Sequence, residues 1–391
     1  MKICDLTQFY SPLSGGVKRY VHEKIAFIEQ HSPGDEHVLI VPGARTERMI
    51  EGRSRVYSIH SPLLSRRSRY RALLNLRAVG EILERERPDI IESSDPYQIA
   101  WKSIASGAAL RVPVVGFYHS HFPETYLRGA ARYLGRSATG VVMRFAQRYV
   151  RNLYNRFAAT LVPSEALAEV LNGWGVGNVR LVRLGVNTGV FKAAPDDRQT
   201  TRAALGVGHE QRLLLYVGRL SADKNTRALF GAFDLLEKRQ PGRFHLLVVG
   251  DGGQRGGVIA LQRKGAGVSW IRYCTDSLEL ARSYRAADLF VHPGVQETFG
   301  LVAVESQACG TPVIGIRGSA MDHVILHGQE AWARENSAAA LAGAIEEFSL
   351  VTPSLSRVEL SDLASRQFSW TRVFEQLFCI YREVWANYRI T

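Results

Sequence analysis

The stretch Glu297-Thr298-Phe299-Gly300-Leu301-Val302-Ala303-Val304-Glu305 decides the fold of this chain. The apolar run before it, at 288–292, predicts a buried strand, and residues 301–308 predict a helix. Glu297 then lies in a strand-to-helix loop, and Glu305 lies about one turn into the helix. In an open α/β sheet, ligands bind at this edge, outside the carboxyl ends of the strands.

Two segments offer groups that would hold a charged ligand at such an edge. The first amides of a helix lack intrahelical partners, so the N–H groups near Gly300, Leu301 and Val302 favour an anion. A second strand-like run, at 213–217, leads into a loop with Arg219 and Lys224, ahead of a helix predicted to begin near residue 226. Guanidinium and ammonium groups commonly hold phosphate oxygens. With the two carboxylates for hydroxyl groups, the combination suits a nucleotide sugar.

Strand-like runs alternate with helix-length segments along the whole chain. In the first half the runs are 2–6, 37–41, 90–92, 114–118 and 160–162; in the second half they are 213–217, 245–249, 269–273, 288–292 and 313–316. This alternation predicts parallel sheets covered by helices, and two such sets predict two Rossmann-like domains. We expect an N-terminal domain at 1–190 and a C-terminal domain at 191–371, with a linker at about 187–211. Apolar residues at helical spacing predict a final helix at 372–391, which would pack on the N-terminal domain.

Composition is that of a soluble globular protein. The chain has 391 residues, of which 46% are hydrophobic and 22% charged, enough for two domains with separate cores. No apolar run approaches the length of a membrane span, and the first residues lack the layout of a signal peptide. The four cysteines show no CxxC spacing, which favours a reducing compartment over a disulfide framework or a zinc site. We therefore expect a cytoplasmic protein.

The net charge of +12 is unevenly distributed. Residues 101–160 contain nine Lys or Arg and one acidic residue, Glu124. The arginines recur at helical spacing in two sets: Arg128, Arg132 and Arg136, then Arg144, Arg148 and Arg151. These sets are either solvated helix faces or a surface that docks on anionic lipid. Nothing that resembles a nucleic-acid-binding module accompanies the charge, so no nucleic-acid partner is expected.

The motifs together resemble the retaining glycosyltransferases of family 4, which have the GT-B fold. The pair Arg219 and Lys224 and the E-x7-E segment from Glu297 to Glu305 carry the resemblance. Further matches run from about residue 2 to about residue 385: Gly15-Gly16-Val17, Phe117-Tyr118-His119-Ser120-His121, Val162-Pro163-Ser164-Glu165, Gly185-Val186-Asn187 and Ala308-Cys309-Gly310-Thr311-Pro312-Val313.

The resemblance implies a fold and a division of roles. It implies two facing Rossmann-like domains, with a C-terminal helix that crosses back to the N-terminal domain. The nucleotide sugar would bind mainly to the C-terminal domain and the acceptor to the N-terminal domain. Arg219 and Lys224 would stabilise charge on the leaving diphosphate, Glu305 would bind the ribose hydroxyls, and Glu297 would contact hydroxyls of the donor sugar.

Four residues of the N-terminal half are further candidates. His119 follows the strand at 114–118, and the resemblance places it beside the transferred sugar; His121 is the competing choice, and a structural role is the alternative for either histidine. Gly16 would let the backbone approach the donor closely, although a tight turn explains it equally well. Asp95 and Tyr97 follow the strand at 90–92 and could line the acceptor side.

The expected activity is retaining transfer of a hexose, of mannose or glucose type, from a UDP- or GDP-sugar. The acceptor would be lipid-linked or a saccharide in envelope glycan or glycolipid synthesis, with the enzyme peripheral on the inner face of the plasma membrane. The chain has no Asp-x-Asp motif, so neither a metal nor another cofactor is expected. Two alternatives stay open: a sugar-nucleotide epimerase of the same fold, and a catalytically silent nucleotide-sugar-binding protein.

Overall fold

The computed structural model of the protein describes residues 1–8, 10, 16–64, 69–119, 121, 123, 136–194, 197–295, 297–319, 321–351 and 354–390. The chain divides into two compact units. Unit 1 comprises Met1–Leu184 and Trp370–Thr391, and unit 2 comprises Gly185–Ser369. In the part of the chain that the structure describes, each unit contains one β-sheet. Among the described residues, no helix combines the length and the apolar character that crossing a membrane requires.

Unit 1 is built on an eight-stranded sheet in the order β3-β4-β2-β1-β5-β6-β7-β8. Its strands are β1 (Lys2–Leu6), β2 (Glu36–Gly43), β3 (Glu47–Glu51), β4 (Ser54–His60), β5 (Ile90–Ser93), β6 (Val114–Phe117), β7 (Ala159–Val162) and β8 (Val179–Leu181). The pair β3–β4 is antiparallel, and the other pairs are parallel. Central strands such as β5 and β7 are buried at every position, as expected for parallel strands covered on both faces.

The described residues of Met1–Leu184 in unit 1 contain five α-helices. They are α1 (Gly16–His31), α2 (Leu76–Glu86), α3 (Gln98–Leu110), α4 (Arg136–Tyr154) and α5 (Glu165–Gly173). Side chains cap two of these helices: Asn75 accepts the amide of Ala78 at α2, and Ser164 accepts that of Leu167 at α5. The helices connect consecutive parallel strands, which is why the carboxyl ends of β1, β5 and β6 share one edge of the sheet.

Unit 2 contains a five-stranded parallel sheet in the order β11-β10-β9-β12-β13. Its strands are β9 (Arg212–Val217), β10 (Phe244–Val249), β11 (Val268–Ile271), β12 (Leu289–Val291) and β13 (Val313–Ile314). Its α-helices among the described residues are α6 (Arg198–Ala204), α7 (Thr226–Arg239), α8 (Gly256–Arg263), α9 (Ser277–Ala286), α10 (Leu301–Ala308), α11 (Ala338–Leu350) and α12 (Arg357–Phe368). The strand order changes direction between β9 and β12, which is where ligands bind in sheets of this kind.

The last helix, α13 (Trp370–Ile390), belongs to unit 1. Its apolar stripe is buried, and the rings of Phe374 and Phe378 pack on Phe27 of α1 at centroid distances of 5.5 and 5.3 Å. The prediction that the final helix crosses back to the first half of the chain is confirmed.

All ten predicted strands are present, with ends displaced by at most about two residues. Three strands of unit 1, β3, β4 and β8, were not predicted. The stretch 187–211, predicted as a linker, lies inside unit 2 and contains α6.

Candidate functional site

Gly300 turns the chain from the loop after β12 into α10. It lies in the left-handed region at φ 88°, and a Cβ there would meet Met321 Cε at 2.5 Å, so the position requires glycine. The turn leaves Glu297 in the loop and Glu305 in the second turn of α10, as predicted. Because Leu301 and Val302 open the helix, their amides have no intrahelical acceptor and can bind an anion.

The loop after β9 lies beside this one, since β9 and β12 are neighbours in the sheet. It contains a short 3-10 helix, Ala222–Lys224, that Asn225 ends in the left-handed conformation at φ 54°. The Asn225 side-chain amide donates to the carbonyl oxygen of Pro293 at 2.8 Å, which ties the two loops together. Lys224 is thereby brought to the loop that carries Glu297.

Lys224 and Glu297 form an ion pair, with 2.5 Å between Nζ and Oε1. His292, the residue after β12, places its Nε2 atom 3.6 Å from the same oxygen. Burial raises the pKa of Glu297, but the neighbouring His292 and the charge of Lys224 outweigh it and lower the pKa to about 2. Glu297 is therefore ionised at neutral pH, and Lys224 balances its charge.

Arg219 lies on the same loop as Lys224 but has a different partner. Its guanidinium donates to Asp223 Oδ2 at 3.0 Å, and its side chain is 72% exposed. The structure thus brings Lys224 and Glu297 into contact and pairs Arg219 with the carboxylate four residues further on. An exposed long side chain can be reoriented toward a ligand at little cost, because surface ion pairs are weak.

Glu305 is almost completely buried on α10. The hydroxyl of Tyr284, on α9, donates to its Oε2 at 3.0 Å. Tyr284 is itself fully buried and packs against Phe290 of β12. The carboxylate is therefore fixed in orientation by a rigid neighbour, as a group that recognises a diol requires.

A third loop, after β10, packs its backbone against the loop of Arg219. A Cβ on Gly250 would lie 1.9 Å from the carbonyl oxygen of Gly218, and a Cβ on Gly252 would lie 2.3 Å from that of Leu220. The Leu220 amide donates to the carbonyl of Asp251 at 3.1 Å. Because these residues are glycines, the backbones of the two loops can lie in contact, and any larger residue would push them apart.

His119 is placed in unit 1, two residues beyond the end of β6. Its ring stacks on Phe117 at a centroid distance of 3.9 Å. Its Nε2 atom is buried and has no hydrogen-bond partner among the described residues. Burial lowers the pKa of His119 to about 3, and the charge of Lys24 acts in the same direction. The imidazole is therefore neutral at physiological pH, with one nitrogen held away from water.

The other unit 1 candidates differ in their surroundings. His121 stacks on Trp174, and its Nδ1 atom contacts the Tyr118 hydroxyl at 3.0 Å. These contacts give His121 a structural role. Gly16 is the first residue of α1 and is exposed, whereas Gly15 lies outside the described residues.

Asp95 and Tyr97 follow β5. The Asp95 carboxylate is buried and accepts the Gln8 amide through Oδ2 at 2.7 Å, while its Oδ1 atom has no partner among the described residues. Burial raises the pKa of Asp95 to about 6, against the hydrogen bonds from the backbone of Gln8 and Tyr97. Tyr97 is the N-cap residue of α3 and is partly buried.

A buried charge network in unit 1 was not predicted. Lys24 of α1 is completely buried, and its ammonium lies 2.8 Å from Asp5 Oδ1 and 3.3 Å from Glu92 Oε1. His37 Nε2 lies 2.7 Å from Asp5 Oδ2, and the Tyr381 hydroxyl of α13 donates to Glu92. The available signal was charged residues inside otherwise apolar strands, Asp5 in β1 and Glu92 in β5. We call these five residues the buried network.

Tyr20 connects the buried network to His119. Its hydroxyl donates to Glu92 Oε2 at 3.1 Å, and its ring meets the His119 ring edge-on at a centroid distance of 5.1 Å. Trp370 and Phe374 of α13 pack on the same tyrosine. The imidazole of His119 is therefore positioned by a side chain that α13 and the buried network hold in place.

Comparison with known proteins identifies both halves of the chain. Residues 14–190 match the family described as Glycosyltransferase Family 4, and residues 197–358 match Glycosyl transferases group 1. The GDP-mannose-dependent α-(1-6)-phosphatidylinositol dimannoside mannosyltransferase of Mycobacterium tuberculosis is 31% identical over 379 residues, which is 95% of this chain and 93% of that protein. The α-monoglucosyldiacylglycerol synthase of Streptococcus pneumoniae is 27% identical over 296 residues, 72% of this chain and 64% of that protein.

Solved structures share the fold. Sucrose-phosphate synthase from Thermosynechococcus elongatus superposes with a TM-score of 0.74 at 22% identity over 99% of both chains. Anabaena HepE, solved with UDP and glucose, gives 0.73 at 19% identity over 98% of this chain and 100% of its own. With the family matches, these likenesses show that the chain belongs to the family 4, group 1 glycosyltransferases and is a nucleotide-sugar-dependent glycosyltransferase of the GT-B fold.

Proposed function

We propose that this enzyme transfers a hexose from GDP-mannose to a hydroxyl group of a lipid-linked acceptor, with retention of anomeric configuration and without a metal. The M. tuberculosis relative, similar over nearly the whole of both chains, is GDP-mannose-dependent by name and acts on a phosphatidylinositol mannoside. A UDP-sugar is the second candidate donor, because HepE was solved with UDP and glucose. The observation that carries the proposal is the Lys224–Glu297 pair, beside the N-terminus of α10.

Stabilisation of the leaving diphosphate is the main chemical requirement. Breaking the bond to the anomeric carbon puts negative charge on the phosphate, and donors already aimed at that charge are the strongest catalytic device. Lys224 and the amides of Leu301 and Val302 lie at one edge of the sheet and would provide these hydrogen-bond donors. Arg219, exposed on the same loop, would add a planar fork by exchanging Asp223 for phosphate oxygens.

The two carboxylates would recognise hydroxyl groups. Glu305, held by Tyr284, would accept hydrogen bonds from the ribose diol. Glu297 would accept from hydroxyls of the donor sugar while Lys224 neutralises it. The carboxylate of Glu297 is already engaged by Lys224, which favours a same-face mechanism over attack by this carboxylate to form a glycosyl-enzyme intermediate. In that mechanism the leaving phosphate oxygen takes the proton of the acceptor hydroxyl.

His119 would act as a neutral hydrogen-bonding group beside the transferred sugar. Because its pKa is lowered to about 3, it cannot donate a proton as an imidazolium near neutral pH. Its buried Nε2 atom has no hydrogen-bond partner among the described residues, and a sugar hydroxyl would supply one once the groups that cover the ring move aside. We expect His119→Ala to lower kcat by about 10²-fold, the size typical for losing one preorganised group.

Thermal unfolding with a nucleotide panel tests the donor site. UDP, GDP, ADP and NAD are each added to wild type, to Glu305→Gln and to Glu279→Gln, a control that removes an exposed carboxylate from α9. A ligand at about 100 times its dissociation constant adds roughly 2.7 kcal/mol of stability. We expect GDP to stabilise the wild type and the control, and to have much less effect on Glu305→Gln.

The outcomes separate the competing functions. A shift with NAD alone, or no shift with any nucleotide, would contradict the proposed donor site. Incubation with donor alone distinguishes the epimerase alternative, since an epimerase returns an isomerised nucleotide sugar and a transferase gives only slow hydrolysis. A silent binding protein would show the GDP shift but no transfer to any lipid-linked acceptor. Proton NMR of the product reports anomeric configuration, and unchanged activity in EDTA would support metal independence.

A further inference from the structure

The outward face of α4 carries an exposed aromatic residue between arginines. The opposite face is core, where Met143, Ala146 and Val150 are buried. Phe145 is 70% exposed and Val141 is 42% exposed, and Arg144 and Arg148 are exposed as well. Arg144 and Phe145 follow Val141 by three and four residues, and Arg148 follows them by four and three, so the four positions form one stripe along the helix. We call Val141, Arg144, Phe145 and Arg148 the α4 stripe.

The charge around the α4 stripe has one sign. Between residues 96 and 164 the chain has nine Lys or Arg and one acidic residue, Glu124. Neither α3 nor α4 contains a carboxylate, so no acidic side chain of these helices neutralises the arginines. A surface of this kind attracts polyanions and repels positively charged partners.

Aromatic residues continue the surface beside α4. Tyr149, one turn beyond Phe145, accepts a hydrogen bond from Trp101 Nε1 at 3.2 Å. Trp101 of α3 is 38% exposed, and the Arg156 guanidinium lies 5.3 Å from the centre of its ring. Exposed aromatic rings beside arginines are typical of helices that lie in a membrane interface, where ring and aliphatic stem are buried and charge stays at the headgroups.

We propose that the α4 stripe docks on an anionic lipid bilayer, with Arg144 and Arg148 contacting headgroup phosphates and Phe145 inserted at the acyl boundary. A nucleic acid could bind the arginines, but it would offer no apolar environment for Val141 and Phe145. A lipid bilayer provides both anionic headgroups and an apolar interior. The inference rests on the proposed function, because a lipid-linked acceptor lies in a membrane. Its test requires neither the nucleotide sugar nor the acceptor. The basic set Arg128, Arg132 and Arg136, predicted as the membrane surface from the sequence, falls on residues or side chains outside those described.

Vesicle flotation measures the docking directly. The full-length protein is mixed with vesicles of phosphatidylcholine alone, or of phosphatidylcholine with phosphatidylglycerol. We expect binding to the anionic vesicles that falls with salt, because each arginine near the surface contributes about fivefold to the partition coefficient. Arg144→Glu with Arg148→Glu should lower it at least about a hundredfold, and Phe145→Ala about tenfold.

Matched variants distinguish this surface from net charge and from misfolding. Arg263→Glu with Arg334→Glu makes the same charge change at exposed positions of unit 2 and should bind vesicles like the wild type. Phe145→Trp should still bind the anionic vesicles. Brominated lipids should quench its tryptophan fluorescence more than that of the wild type. Because Phe145 and both arginines are exposed, all variants should keep the wild-type thermal unfolding and GDP shift.

Three results would overturn the inference. The first is anionic-vesicle binding that survives the Arg144/Arg148 reversal. The second is equal loss of binding in the Arg263/Arg334 control. The third is tight binding to a DNA duplex without vesicle binding, which would assign the arginines to nucleic acid. Failure of the donor proposal is seen separately, because it removes the GDP shift and leaves vesicle binding intact.

Discussion

Replacing Lys224 by methionine removes the ammonium that contacts Glu297 and keeps an unbranched apolar side chain. The Glu297 side chain is 13% exposed, so its carboxylate would be left nearly buried beside His292. A fall in pKa from the usual 4.5 to about 2 corresponds to about 3 kcal/mol of stabilisation of the ionised form. His292 supplies part of this, so we expect Lys224→Met to lower the free energy of unfolding of unit 2 by about 2 kcal/mol.

The sign of the pH dependence follows from the lowered pKa of Glu297. A carboxyl group whose pKa is lower in the folded protein contributes its full stabilisation above its unfolded value, about 4.5. The contribution disappears as the pH falls toward 2. The difference in stability between wild type and Lys224→Met should therefore be constant around neutral pH and shrink below about pH 4.5.

A double-mutant cycle measures the coupling. Hydrogen–deuterium exchange of amides in β9 and β12 reports the stability of unit 2 for wild type, Lys224→Met, Glu297→Gln and the double variant. Lys238→Met is the matched control: its ammonium lies 2.8 Å from Asp234 Oδ2, but its side chain is 68% exposed, so its loss should cost less than about 1 kcal/mol. If Lys224→Met costs as much in the Glu297→Gln background as in the wild type, the ion pair does not stabilise unit 2 and the reasoning is wrong.

Three further predictions concern groups whose packing is equally specific. Burial raises the pKa of Glu92 to about 7, so the free energy of unfolding should fall as the pH rises from about 4.5 through 7. In urea titrations, Glu92→Gln should remove about 3 kcal/mol of this pH dependence. If the variant kept the pH dependence of the wild type, the prediction would be wrong. Gly300→Ala should lower the stability of unit 2 by about 1–3 kcal/mol, because residue 300 has a positive φ and the added Cβ would meet Met321. In thermal unfolding, Gly300→Ala should therefore cost less in a Met321→Ala background than in the wild type. Gly250→Ala should cost about 3 kcal/mol or more, because its Cβ would overlap the carbonyl of Gly218; a thermal midpoint near that of the wild type would show that the two loops can separate.

Local sequence patterns were sufficient to predict the strands and loops of unit 2. The apolar runs before Arg219 and before Glu297 end at glycine or shortly before proline, and helix-length segments follow them. Such signals depend on neighbours along the chain, so the placement of Glu297 in a loop and of Glu305 in a helix could be read from the sequence.

Edge strands of unit 1 could not be predicted by the same argument. Strand β3 is exposed at all five positions, so it lacks the apolar alternation that marks a half-buried strand. It exists because it pairs antiparallel with β4, from Glu47 opposite Ser58 to Glu51 opposite Ser54. Pairing between strands is a tertiary property, and the sequence of one strand does not contain it.

Side-chain partners were the second kind of information that the sequence lacked. Arg219 and Lys224 are five residues apart and were assigned one role, yet one pairs with Asp223 and the other with Glu297. The buried network joins Lys24 to Tyr381, which are 357 residues apart. Charged residues in apolar strands were the available sign of that network, but their partners depend on how the helices pack.

The position of α13 makes unit 2 an insertion within unit 1. The chain leaves unit 1 after Leu184 and returns at Trp370, and the Val186 amide donates to the carbonyl of Phe368 at 2.6 Å, so the two ends of unit 2 are adjacent. Unit 2 is therefore synthesised before the residues that finish unit 1. Until Tyr381 arrives, Lys24 and Glu92 lack the residue that covers them. A chain truncated after residue 369 and released from the ribosome should therefore contain a protease-resistant unit 2 and a protease-sensitive unit 1.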